Sequence, residues 1–404
     1  MTKEKVIPQI RFSGFTDTWE QRELGEVVKE VTRNDSTSEA PIMMITANNG
    51  FIEQSERYAF NNAGESLKKY ILLEKGELAY NHGASKLRPY GSCFALTTAE
   101  NARIPFVYHC FSVENQNAEF MSIELNSSEI ENQLRKIVSS GARMDGLLNI
   151  SFDEYSSVSV VLPSIEEQDR IAGFLRNLDR LITLHQRKYD KLTKVKKAML
   201  EKMFPENGSP YPEIRFKGFT DAWEQRKFRE QYQKITEKND LSFGADKIIS
   251  VANMYFKSDV KQSDDDYMRS YNIMRLGDIA FEGNKSKHFA HGRFVENTIG
   301  DGIVSHVFDV FRPIADYDLL FWKYLINYEG VMGRIMTRCT KASTMMTNLV
   351  ADDFLAESIL VPSIQEQQKI GAFLDKLDSL ITLHQRKLEK LKNIKKACLE
   401  KMFV

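Results

Sequence analysis

The chain of 404 residues reads as an α+β protein made by tandem duplication: two variable α/β domains separated by two long antiparallel helices that form a coiled coil, the halves related by a pseudo-two-fold axis. Three observations predict this. A stretch occurs twice, at Pro163–Phe204 and Pro362–Phe403, without a gap at an offset of 199 and with 28 of 42 positions identical. A second repeat opens each half, IRFSGFTDTWEQREL from Ile10 and IRFKGFTDAWEQRKF from Ile214, at an offset of 204. Between these anchors lie short, β-rich runs bounded by Gly and Asn, as in an antiparallel or mixed sheet.

The long repeat predicts the helices. Ser164 and Ser363 follow a proline and precede Glu167 and Glu366 by three residues, the S-x-x-E pattern of a capping box. Apolar residues then recur at 3-4 spacing, through Leu175, Leu178, Ile182, His185, Tyr189 and Leu192 in one copy and Leu374, Leu377, Ile381, His384, Leu388 and Leu391 in the other. That is a coiled-coil seam. At 1.5 Å per residue, each helix runs roughly 58 Å. The second starts where the first finishes, so a shared seam requires it to run back. PENGSPYP, from Pro205, breaks the first helix. The expected layout is a variable domain at 1–162, a spacer helix at 163–205, a second variable domain at 206–361 and a second helix at 362–404.

Within the variable domains, IMMITANNGFI (from Ile42) matches IISVANMYF (from Ile248), KGELAY (from Lys75) matches LGDIAF (from Leu276), and FVYHCFSV (from Phe106) matches IVSHVFDV (from Ile303). These are expected strands. Helical patterns follow around Glu129–Val138 and Leu319–Tyr328.

Composition narrows the class. An apolar fraction of 42% with 27% charged residues is ordinary for a soluble globular protein. No run approaches the ~18 apolar residues of a membrane span, and the N-terminus lacks signal-peptide character. Four scattered cysteines without a C-x-x-C read as reduced thiols in the cytoplasm. A net charge of −1 announces no polyanionic partner, so such a claim rests on local patches. There is no phosphate-binding glycine loop, no dinucleotide fingerprint and no nucleophile or clustered-carboxylate constellation. Asp264–Asp266 reads as a solvated loop tip, and the H-x-x-H of His288 and His291 falls on a glycine-rich stretch that favours no metal. No metal site is expected.

What remains is a basic, polar loop after a matched strand in each half, NHGASKLRPYG from Asn81 and EGNKSKHFAHGR from Glu282. Asn81, Lys86 and Arg88 in the first, and Asn284, Lys285, Lys287, His288, His291 and Arg293 in the second, have the chemistry to reach phosphates and base edges. The same stretches read equally well as solvated surface loops. Arg143, in SSGAR, is a weaker candidate that also reads as a turn. The basic lower half of each helix, Arg187–Lys197 and Arg386–Lys396, reads as a solvated face rather than a DNA contact. Leu181, Leu184, Leu380 and Leu383 broaden the apolar stripe beyond what two helices cover and form a candidate docking face. His185 and His384 fall at matching midpoints of the seam, where a polar pair fixes register. They are expected to approach each other, with at least one neutral.

The pattern P-S-I-x-E-Q-x-x-I, F-L-x-x-L-D-x-L-I and K-x-x-L-x-K-M-F, given twice, resembles the specificity subunit of Type I restriction-modification systems, as does the opening R-F-x-G-F-x-x-x-W-E-x-R. The resemblance covers the whole chain. It implies that each variable half is a target recognition domain reading one part of a split double-stranded DNA sequence. It also implies that the helices receive two modification (methyltransferase) subunits, with restriction subunits completing the complex. The chain itself would be non-catalytic, with S-adenosylmethionine, ATP and Mg held by its partners. An enzyme or a bivalent adaptor that does not bind DNA remains the alternative on residues alone.

Overall fold

The computed structural model describes residues 7–47, 50–57, 64–138, 147–205, 208–258, 264–342 and 346–403. The chain divides into two compact units, residues 1–184 with 388–404 and residues 185–387.

The first unit contains β1 (Glu20–Glu23), β2 (Val28–Glu30), β3 (Met43–Thr46), β4 (Gly50–Glu53), β5 (Ile71–Glu74), β6 (Leu78–Asn81), β7 (Ser92–Ala95), β8 (Asn101–Ile104) and β9 (His109–Val113). Helices α1 (Ala118–Glu124), α2 (Ser128–Ile137) and α3 (Phe152–Ser156), strand β10 (Ser159–Leu162) and the long helix α4 (Ile165–Met203) follow. Its sheet has the order β2-β9-β6-β7, with β1–β10, β3–β4 and β5–β8 as separate antiparallel pairs. In the second unit come β11 (Glu224–Lys227), α5 (Phe228–Gln231), β12 (Tyr232–Ile235), β13 (Ile249–Ser250), β14 (Tyr255–Phe256), α6 (Asp265–Arg269), β15 (Asn272–Met274), β16 (Ile279–Glu282), β17 (Arg293–Glu296), β18 (Gly302–Val304) and β19 (Val310–Pro313). They are followed by α7 (Leu319–Leu325), α8 (Glu329–Cys339), β20 (Thr340–Ala342), β21 (Thr347–Leu349), α9 (Ala351–Ala356), β22 (Ser358–Val361) and α10 (Ile364–Lys401). The sheet order β12-β19-β16-β17 repeats the first, β11–β22, β13–β14 and β15–β18 repeat its pairs, and β20–β21 is a further pair among the described residues of the second unit.

Strand pairing corrects one match read from sequence. Leu78 faces Phe111 in the first sheet, and the equivalent Ile279 faces Phe311 in the second. The counterpart of FVYHCFSV is therefore HVFDVFRP, three residues beyond the segment expected, because two neighbouring strands share the same β-branched character. The helical assignments shift as well. Asn117 and Asp318 are equivalent N-caps, each accepting from the backbone N–H three residues on, so α1 corresponds to α7 and α2 to α8. Asp264–Asp266 is not a loop tip but the exposed start of α6.

Several repeated motif residues have a packing role. Glu167 does not close a capping box. Its side chain is buried and accepts two 2.7 Å bonds from the Arg11 guanidinium, while its N–H donates to Ser164 Oγ at 3.4 Å. Glu366 does the same with Arg215 at 2.7 and 2.8 Å. Removing one partner of such a buried pair costs about 3–5 kcal/mol, because the other charge stays desolvated. The next residue, Gln168, accepts from Asn117 N–H at 3.0 Å and donates to Pro163 O, pinning α1 to the helix start. Gln367 repeats this with Asp318 and Pro362. The opening R-F is thus a strap. In the first unit Ile10 N–H donates to Lys401 O while Arg11 holds Glu167; in the second, Ile214 donates to Lys202 O while Arg215 holds Glu366. The end of one long helix and the start of the other therefore lie together in each unit, which makes the helices antiparallel there.

The remaining seam contacts agree with this direction. Asp179 pairs with Lys395 at 2.5 Å in the first unit, and Lys196 with Asp378 at 2.6 Å in the second. Leu175 and Leu178 sit in a core cluster with Met402, and Leu374 and Leu377 in one with Met203 and Phe204. In the second unit the rings of His185 and His384 are 5.0 Å apart, Nδ1 to Nδ1 2.8 Å. One N–H must donate to the other's lone pair, so at least one ring is neutral. Burial lowers both pKa values, with Lys387 and Lys188 adding repulsion at each ring and His185 also acting on His384.

Candidate nucleic-acid interface

The β6–β7 and β16–β17 connections are hairpin loops of the same construction. Asn81 pairs with Ser92 across one pair of strands and Glu282 with Arg293 across the other. Inside each loop a serine closes a turn: Ser85 N–H donates to Arg88 O at 3.0 Å while its Oγ accepts from Arg88 N–H at 3.0 Å. Ser286 N–H likewise donates to Phe289 O at 3.0 Å, and its Oγ accepts from Phe289 N–H at 3.1 Å. Glycine is required at the loop's end. Gly91 and Gly292 have φ of 82° and 76°, and a Cβ would come within 2.6 Å of Asn81 O or Glu282 O. The turn places Lys86 and Lys287 at equivalent positions on the tip. Both are exposed, and neither has an ion-pair partner among the described residues.

The other candidates divide by what they touch. Lys285 and His288 are exposed, and His291 is half-buried. Asn284 is exposed, 3.4 Å from Glu282 Oε1, and bridges to Met346. Asn81 is half-buried. Its Nδ2 donates to Ile45 O at 3.1 Å and its Oδ1 accepts from Gly83 N–H at 2.9 Å, fastening the loop to β3. Arg88 donates to Asn126 O at 2.8 Å in the α1–α2 connection. Arg293 bridges Glu282 Oε2 at 2.8 Å and Ala252 O at 2.6 Å, under the Phe289 ring at 5.1 Å. These three were expected as direct contacts; in the structure each makes hydrogen bonds that hold its loop in shape. Arg143 lies outside the described residues.

Behind the first loop, His82 contacts Leu148 O at 2.7 Å and Val107 O at 2.6 Å, and His109 contacts Ile150 O at 3.0 Å. Burial lowers the His109 pKa. These rings hold the chain from Leu147 to Ile150 against the sheet, a role with no signal in the residue pattern. On the helices, Leu181 and Leu184 of the first unit are 42% and 44% exposed. In the second unit Leu383 is 44% exposed and Leu380 is half-buried. Among the described residues no group of three or more His, Cys, Asp and Glu is placed to hold a metal ion, and no helix is long and apolar enough to cross a membrane.

Two copies of one sheet, each presenting a lysine-tipped loop and each resting on paired long helices, define a duplicated binding architecture. A family model described as the Type I restriction modification DNA specificity domain matches residues 16–194 and 230–393. The chain belongs to that family. It is 21% identical over 301 residues to the specificity subunit of the Type I restriction enzyme MjaVIII of Methanocaldococcus jannaschii, covering 69% of this chain and 67% of that relative. Among solved structures, the S subunit of a Type I restriction-modification system from M. genitalium superposes with a TM-score of 0.54 at 12% identity, over 99% of both chains. The HsdS subunit from Thermoanaerobacter tengcongensis gives 0.46 at 15% identity, over 95% of this chain and 96% of that one. The M. genitalium likeness shows a shared fold.

Proposed function

We propose that the chain is the DNA sequence-recognition subunit of a Type I restriction-modification complex, each unit reading one part of a split, asymmetric target. The observation that carries this reading is the shared loop: one backbone turn and one exposed lysine in both units, with different side chains around them. A fixed lysine suits a phosphate, which is the same in every sequence, and varied neighbours suit bases, which are not. Lys86 and Lys287 hold phosphates, each adding about 0.9 to the slope of log affinity against log salt. The helices set the spacing between the half-sites. Their exposed leucines receive two modification subunits, and restriction subunits join the full complex. The chain does no chemistry of its own; S-adenosylmethionine, ATP and Mg reside on those partners, and the complex works in the cytoplasm.

The test is the methylated motif. Residues 25–150 are exchanged for the corresponding domain of another family member, and methylated adenines are mapped by single-molecule sequencing in a host carrying the system. One half of the motif should change. If both halves changed, or neither did, modular reading would be wrong.

A further inference from the structure

The β13–β14 hairpin lies beside the loop of the second unit. Ile249 is buried, and its partner Phe256 packs on the same cluster, so strand alternation turns Tyr255 outward, 51% exposed. Asn253 is exposed at the tip. Met254, next in the chain, has φ of 50°, in the left-handed region that side chains avoid, and its N–H donates to Ser250 O at 2.8 Å to close the turn. In the first unit's β3–β4 hairpin the positive φ, 64°, falls on a glycine, Gly50, paired with Thr46. The second unit thus keeps a tight tip at the expense of backbone strain, and strain of this kind gathers where a surface must hold one shape for a ligand. The tip is also anchored. The Arg293 guanidinium touches Ala252 O in the hairpin, Glu282 at the root of the loop and the Phe289 ring within it. In the first unit Asn81 makes the corresponding tie to Ile45 O from the opposite strand.

From this geometry we infer that the β13–β14 hairpin is a second reading element of residues 185–387: Asn253 and Tyr255 contact bases of that unit's half-site, and Arg293 is a positioning residue that locks hairpin and loop into one surface. The inference rests on the DNA-reading role above. Asparagine presents the paired donor and acceptor that match adenine in the major groove, and an outward tyrosine supplies a flat apolar face with a hydroxyl. Neither residue type is needed there for packing, since both side chains leave the core.

The experiment uses the full chain assembled with its modification subunits. Asn253→Ala, Tyr255→Ala and Arg293→Lys complexes are compared with wild type by methylated-adenine mapping and by binding to duplexes altered in one half-site at a time. Discrimination at one or two base pairs of the second half-site should fall about tenfold to a hundredfold in N253A or Y255A. The first half-site should stay as strict as in wild type. R293K keeps the charge beside Glu282 but cannot span to Ala252, and should relax the same base pairs. Asn253→Asp, which leaves the turn unaltered, guards against a folding artefact by changing base preference without loss of thermal stability. A motif as strict as wild type in N253A, Y255A and N253D overturns the reading role, and a strict R293K overturns the positioning role. Failure of the parent reading looks different: the wild-type complex itself would leave no split methylated motif.

Discussion

Glu296 shows how one side chain sets a pH dependence for its unit. It lies in β17 with 2% exposure, and neither carboxyl oxygen has a hydrogen-bond partner among the described residues. Burial pushes its pKa up to about 10, so the folded protein holds it protonated at neutral pH. The unfolded chain ionises it in the ordinary carboxylate range. Folding therefore takes up a proton between those two values. The neutral form's full stability is present below the unfolded pKa and declines as pH rises, by at most about 1.4 kcal/mol per unit. Glu296→Gln removes the titration without changing shape. Chemical denaturation at pH 6, 7.5 and 9 should find the variant more stable, by a margin that widens with pH; a constant margin would show the carboxylate to be solvated. At this scale sequence reading reached the residue type but not the contacts it makes within the fold. Arg88, Arg293 and Asn81 have the chemistry of DNA contacts, yet each is occupied by a carbonyl or carboxylate that only the fold brings near.

At the scale of elements the long helices were legible, because a period near 3.6 carried over 42 positions and repeated admits one explanation. The strands were legible as a set but not in register, since short β-branched runs resemble one another. Three residues of slip separated the expected partner of FVYHCFSV from the one the sheet selects. The helix pair also titrates. Both His185 and His384 have lowered pKa values, so the unfolded chain binds protons more readily than the folded one as pH drops below about 6.5. Their contribution is intact above that value and is lost as pH falls through the folded pKa. Thermal melts at pH 8 and 5.5 should show wild type losing more stability on acidification than a His185→Leu/His384→Leu variant. Equal losses would place the pair's titration outside the folding equilibrium.

For the whole molecule, duplication was visible in sequence, whereas the division of labour between repeats and variable stretches became clear only from contacts. Many residues of the repeated motifs are scaffold: Arg11 and Arg215 clamp helix starts, Gln168 and Gln367 pin the α1 and α7 caps, and Trp19 and Trp223 pack against Phe403 and Phe204. The surface left unexplained by folding includes Leu184 and Leu383. Leu184→Asp/Leu383→Asp should abolish co-purification with the modification subunit while thermal stability of the chain changes little, because both side chains already face solvent. Retained co-purification would move the docking face elsewhere.

The straps carry one more consequence. Ile214 meets Lys202 after a short linker, and Ile10 meets Lys401 in the same way. In each unit, then, the same contact joins the end of a long helix to the segment that opens a half. A chain opened within 205–213 and rejoined from Phe403 to Ile10 by a copy of that linker would make the same contacts in a new order. Its halves would exchange places in the gene, and the target it reads would stay the same.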